Sequence, residues 1–139
     1  MDKVYAVVVT YNRKLLLKEC VDAILEQSNP VDKLIIVDNN STDGTEDYLM
    51  ENHYFSNERI QYLKLPENIG GAGGFHEGMK AARKDKPDWV WIMDDDTVPT
   101  VNCLEELLNA KERINGKISF LASSVRGMNG EAMNVPKIA

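Results

Sequence analysis

Continuous apolar runs alternate along the chain with segments in which apolar residues recur every three to four positions. "KVYAVVVT" (3–10) is β-branched and apolar almost throughout, the composition of a strand buried on both faces. "KLIIVD" (33–38), "IQYLKL" (60–65) and "DWVWIM" (88–93) repeat that pattern, and "ISFLASSV" (118–125) predicts a fifth strand. Between them, "RKLLLKECVDAILEQS" (13–28) brings Leu17, Cys20, Val21, Ile24 and Leu25 onto one helical face, with Asn12 placed to cap it and "NP" to end it. "EDYLMEN" (46–52) predicts a short helix, and "HEGMKAARK" (76–84) a helix that follows a Gly-rich loop, "PENIGGAGGF" (66–75). "NCLEELLNAKERI" (102–114) is a helix with Leu104, Leu107 and Leu108 on one face. The tail, 126–139, shows neither period.

Strand and helix in alternation predict an α/β domain, an open and mostly parallel sheet with helices on both faces, spanning residues 1–139 as one unit. No repeat, low-complexity tract or linker divides it. In such sheets ligands sit beyond the carboxyl ends of the strands, where the strand order reverses. Those ends read "TYNR", "VDNNSTDGT", "PENIGGAGG" and "MDDDTVP", so the chemically interesting residues collect along one sheet edge.

Charge and composition narrow the function. The net charge is −6 and no basic block occurs, which argues against a nucleic-acid partner. No apolar run approaches the roughly 20 residues of a membrane span, although peripheral membrane contact stays open. Cys20 and Cys103 lack CxxC spacing and fall in helical patterns, as buried free thiols do. The chain enters its first strand without a leader-like segment, so a cytoplasmic location is expected, and the sequons at Asn39 and Asn40 carry little weight.

At the predicted edge, Asp94 and Asp96 point the same way if strand geometry continues, and Asp95 points away. Two converging carboxylates suit a hard divalent cation such as Mg²⁺ or Mn²⁺; a solvated turn is the competing reading. "GGAGG" permits close backbone approach and opens a helix whose first amides favour anions, or it makes a tight strand–helix turn. It is not the dinucleotide fingerprint, since Gly71 and Gly73 are followed by His76 where the third glycine belongs, and it lacks the lysine of a P-loop. Asp38 could accept hydrogen bonds from a base or ribose, or begin an Asx turn, while Asp43 and Gly44 read as turn and cap residues. Arg13 could meet a nucleotide by charge or stacking, or lie solvated at a helix start. Trp89 and Trp91 read as core.

Taken in order, "VVVTYNR", "IIVDNNSTDGT", "ENIGGAGGFHEGM" and "WVWIMDDD" resemble the donor-binding half of the family-2 inverting glycosyltransferases, over about residues 3–100. "GGAGGF" with "DDD" is most similar to the galactofuranosyl- and rhamnosyltransferase-like branch. The resemblance implies a Rossmann-like nucleotide-diphospho-sugar transferase fold, in part, and a nucleotide-sugar donor, UDP-linked by expectation, with a glycan or lipid-linked acceptor. It implies that Thr10, Tyr11, Asn12, Arg13 and Asp38 surround the nucleobase. The Asn68–Gly74 loop, with Gly70, Gly71, Gly73 and Gly74, would line the ribose, diphosphate and sugar. Asp94 and Asp96 would hold Mn²⁺ or Mg²⁺, with Asp95 near the ribose or behind the metal ligands.

The family's general base is an acid well downstream of the D-x-D. After Asp96 this chain has only Glu105, Glu106, Glu112 and Glu131, none in a base-like setting. The expectation is therefore a donor domain that stops before the acceptor half, or a non-catalytic nucleotide-sugar-binding module. A haloacid-dehalogenase-type phosphatase, with Asp94 as nucleophile and Asp96 as acid, nearly fits "IMDDDTV". It would need a later lysine and acidic pair, and only Glu105–Glu106 follows.

Overall fold

The computed structural model describes residues 2–110 and the short strands at 120–122, 125–126 and 132–133. The chain runs β1 (Val4–Thr10), α1 (Lys14–Leu25), β2 (Lys33–Asp38), α2 (Thr45–Glu51), a 3₁₀ turn at Tyr54–Ser56, and β3 (Ile60–Lys64). It continues through α3 (Gly70–Arg83), β4 (Trp89–Asp94), α4 (Cys103–Ala110) and β5 (Phe120–Ala122). A two-strand antiparallel pair follows, β6 (Val125–Arg126) with β7 (Ala132–Met133). The segment read as periodless thus holds a short pairing. Residues 111–114, the end of the predicted fourth helix, lie outside the described residues.

The main sheet has five strands in the order β3-β2-β1-β4-β5, and every pairing in it is parallel. The chain builds outward from β1 to β2 and β3, then crosses back to β4 on the other side of β1. The switch point falls between the carboxyl ends of β1 and β4, at Thr10 and Asp94.

The apolar strands are buried on both faces, as their composition requires. Val4, Ala6, Val8, Leu34, Ile36, Trp89, Trp91 and Met93 face α1, α2 and α4 through Leu17, Cys20, Val21, Ile24, Leu49 and Leu104. Tyr5, Val7, Val9, Ile35, Val37 and Val90 face α3 through Ala82, Phe75 and Met79.

One element departs from expectation. The glycine-rich stretch is not a loop: Gly70–Gly74 form the first turn of α3, although glycine costs about 1 kcal/mol per helical position relative to alanine. Packing explains it. A Cβ on Gly74 would stand 2.7 Å from Val9 Cγ1, and a Cβ on Gly78 would collide with Val7 Cγ1 and lie 2.9 Å from Val37 Cγ2. Hydrogen at these positions lets α3 lie directly on β1 and β2.

Candidate functional site

β4 ends at Asp94, and the chain turns at once, the Thr97 amide donating to the Asp94 carbonyl at 3.1 Å. Exposure still alternates through the turn: Asp94 and Asp96 face solvent, whereas Asp95 is 4% exposed. The acids separate as expected, through a turn rather than a continued strand. The Asp95 carboxylate accepts the Thr10 hydroxyl at 2.9 Å and faces the Arg13 guanidinium at 3.4 Å. Arg13 also stands 3.7 Å from Asp96. Burial raises Asp95 above the ordinary carboxylate range, against the pull of Thr10 and Arg13. Burial and then the charge of Asp96 raise Asp94 as well. Beneath them Cys20, fully buried, points its thiol at the Asp94 carbonyl at 3.7 Å. Burial and the three acids push that thiol far up, so it stays protonated and inert.

The loops after β1 and β2 are clasped together. Asn12 takes a left-handed conformation, φ +52°. Its side-chain oxygen accepts the Thr42 amide at 2.6 Å and its own amide donates to Ser41 Oγ at 2.9 Å. Asn12 therefore does not cap α1; the Ncap position is Arg13, without a side-chain cap. Asp43 from the other loop partly fills that role, accepting the Lys14 amide at 3.3 Å and also the Thr45 amide at 3.2 Å. Burial alone would raise Asp43, but the hydrogen bonds from Thr45 and Lys14 outweigh it and hold the carboxyl below its usual range.

Asp38, 1% exposed, accepts the Ser41 amide at 2.8 Å and the Tyr62 hydroxyl. Asn39, which stood out in the sequence only as a sequon, ties that edge to α3. Its side chain donates to the Gly70 carbonyl at 3.0 Å and accepts the Ile69 amide at 3.2 Å. Just ahead of α3, whose Ncap position is Ile69, Asn68 accepts the Gly70 amide at 2.9 Å, with Gly70 at φ +81°.

These parts enclose an open cleft of about 500 Å³ at the switch point. Of the residues singled out in the sequence, Thr10, Tyr11, Arg13, Asn68, Gly70, Gly71, Asp94, Asp95 and Asp96 line it, joined by Val9 and Asn39. Asn12 and Asp38 do not; their side chains are engaged in the loops. Gly73 and Gly74 also stay out of it, Gly74 packed on β1 and Gly73 under Ile69. The first-turn amides of α3 have no acceptor within the helix. That of Gly70 is taken by Asn68, and the turn itself meets the cleft at Gly70 and Gly71, opposite the acids. Glu105 and Glu106 lie elsewhere, near Ser28 and Asn102; Glu112 and Glu131 fall outside the described residues.

Asp94 and Asp96 offer hard oxygen donors, and burial together with the Asp96 charge raises Asp94, a setting that fits Mn²⁺ or Mg²⁺. Among the described residues no cluster of three or more His, Cys, Asp or Glu is arranged to hold an ion by itself. A two-carboxylate site leaves the remaining positions to substrate oxygens and water.

A parallel sheet with acids at its switch point and a helix N-terminus facing them is the architecture of the Rossmann-like α/β glycosyltransferases. The mannosyltransferase PcManGT from Pyrobaculum calidifontis, solved in complex with GDP-Man and Mn²⁺, has this fold. It matches at a TM-score of 0.68 and 27% identity over 79% of this chain and 32% of that one. TarS from S. aureus, solved with UDP, shares the fold at a TM-score of 0.66 and 22% identity over 80% of this chain and 32% of its own. Residues 5–137 match the family described as Glycosyl transferase family 2, and the chain belongs to it. The galactofuranosyltransferase GlfT1 of Mycolicibacterium smegmatis is 40% identical over 98 residues, 70% of this chain and 31% of that protein. The chain thus spans about a third of the length of that relative. This membership leaves no place for the phosphatase reading.

Proposed function

We propose that residues 1–139 form the donor-binding domain of an inverting glycosyltransferase whose donor is a nucleotide-diphospho-sugar, most simply a UDP-sugar. The observation that carries the proposal is the cleft itself. Asp94, Asp95, Asp96 and Arg13 face the first turn of α3 at Gly70 and Gly71 across the switch point, where Asn68 holds the Gly70 amide and the next amides have no acceptor within the helix. Such amides and the helix dipole attract phosphate. Thr10 and Tyr11 form the wall beside the acids, where a nucleoside would lie; Tyr11 is 43% exposed and free to stack. Asp94 and Asp96 would hold Mn²⁺ or Mg²⁺, which supplies positive charge to a departing diphosphate. Asp95 does not face that position. Through Thr10 and Arg13 it keeps the guanidinium over the acids, ready to meet a phosphate.

Transfer to a glycan or lipid-linked hydroxyl needs a base within hydrogen-bond reach of that hydroxyl. No glutamate after Asp96 among the described residues lines the cleft. That observation favours a second reading, a module that binds the donor without transferring it. Thermal unfolding with UDP tests the first part. A ligand at a hundred times its dissociation constant adds about 2.7 kcal/mol. The expected result is a larger rise in melting temperature with UDP and Mn²⁺ than with UDP and chelator. Equal shifts would remove the metal from the site, and a stronger response to GDP or dTDP would reassign the base. Acceptor-stimulated release of UDP from UDP-sugars by this chain would exclude the binding-only module.

A further inference from the structure

The cations of this acidic chain are unevenly matched. Arg13 sits on Asp95 and Asp96, Lys18 on Asp22, Lys33 on Asp85 and Lys64 on Glu46. Lys3, Lys14 and Arg59 donate to backbone carbonyls. Within residues 2–110, Lys80, Arg83, Lys84 and Lys86 are the lysines and arginines with no such side-chain partner, and all are exposed at the C-terminal end of α3 and the turn after it. Asp85, in their midst, is turned to Tyr5 at 2.6 Å and Lys33 at 3.4 Å. The opposite face of α3 is fixed on the sheet by Gly74, Gly78 and Ala82. Beside the sheet-facing side, a groove of about 410 Å³ is lined by His76, Lys80, Arg83 and Lys84 together with Met79, whose side chain is partly buried against the sheet.

We propose that this outer face of α3 docks on an anionic phospholipid surface. The reading is independent of donor binding. These cations stand exposed on long stems, and none of those lining the groove is buried to fix one particular anion. Flexible cations around an apolar methionine match laterally mobile headgroups, whose positions adjust to the protein. The net charge of −6 does not forbid the contact. At about 0.1 M salt the screening length is near 10 Å, so the local face decides. Lying on α3, the domain would keep the cleft mouth at the helix's other end close to the surface and open to the side.

The test is co-sedimentation of the full chain with phosphatidylcholine vesicles, with and without phosphatidylglycerol. The expected result is binding only to the anionic vesicles, lost at high salt. The triple variant K80Q/R83Q/K84Q should lower the partition coefficient on the order of 100-fold, at about fivefold per cation near the surface. The charge-keeping K80R/K84R should retain binding, and so should K18Q/K64Q, which removes paired cations elsewhere. All variants should keep their Mn²⁺-dependent response to UDP, which separates failure here from failure of the donor site. Unchanged binding by the triple variant, or equal binding to neutral vesicles, overturns the proposal. A chain that ignores vesicles but is retained by soluble polyphosphate also overturns it, in favour of a polymeric partner.

Discussion

Gly78→Ala probes the packing that holds α3 against the sheet and so aims its first turn into the cleft. The added methyl group would collide with Val7 Cγ1 and lie 2.9 Å from Val37 Cγ2. Both valines are fully buried, and β-branched side chains are restricted at χ1, so neither swings clear without disturbing the core. Overpacking a tight core costs about 1–3 kcal/mol, and two stiff partners put this case in the upper half of that range. Alanine returns about 1 kcal/mol in helix propensity. The net expectation is a loss of about 1–2 kcal/mol. At about 4 °C per kcal/mol for a domain of this size, the midpoint of thermal unfolding falls by roughly 4–8 °C. Gly71→Ala is the control, since nothing lies within 4 Å of its added Cβ. Its effect should stay within about 0.5 kcal/mol. Val7→Ala opens space at the collision and should partly rescue Gly78→Ala, with a coupling of about 0.5–3 kcal/mol in the double-mutant cycle. An unchanged or higher midpoint for Gly78→Ala, or strict additivity with Val7→Ala, would refute the close-packing account of the glycines.

Asn39→Ala strips the partners from the Ile69 amide and the Gly70 carbonyl at a 3%-exposed side chain. It should cost about 1–3 kcal/mol in urea unfolding and weaken UDP binding by calorimetry; unchanged affinity would separate Asn39 from the cleft. Asp94→Asn should stabilise the metal-free chain near neutral pH. Burial and Asp96 raise the Asp94 carboxyl in the folded state, so its ionised form costs stability above that raised value. As pH falls toward the ordinary carboxylate range the native carboxyl takes up its proton first, so the variant's advantage should fade and vanish; an advantage that grows toward acid would contradict the assignment. Trp91→Phe removes a fully buried indole N–H that has no hydrogen-bond partner, so it should cost less than the 3–5 kcal/mol typical of deleting a large aromatic, as read by chemical denaturation.

The strands were readable because parallel strands buried on both faces must be apolar at nearly every position, and Val4–Thr10 and Lys33–Asp38 are. The acids were readable because they directly follow such a run. The first turn of α3 was not, because local propensity argues against a helix through Gly70–Gly74. The signal that could have revealed it is the spacing of Gly74, Gly78 and Ala82, small residues at four-residue intervals along one helical face. Asn39 was hidden for another reason: its partners, Ile69 and Gly70, lie 30 and 31 residues away in sequence, and no local pattern announces them. Asp38 and Asn12 drew attention by their position beside the cleft, but tertiary hydrogen bonds commit them to the loops. The same contacts explain why Asp43, read as a turn residue, serves two helix starts at once.

The link between Asn12, Ser41 and Thr42, reinforced by Lys14 and Asp43, bears on how such a protein could change over time or be re-engineered. Two segments almost thirty residues apart share their hydrogen-bonding requirements, so neither can be exchanged alone. A graft of the β1–α1 loop from a relative with another donor preference would strand the Thr42 amide and the Asp43 carboxylate. Transplanted as a pair, the two loops would carry their own fit with them. Under the proposed donor site, the pair of loops would vary as one unit, and library design should sample them together.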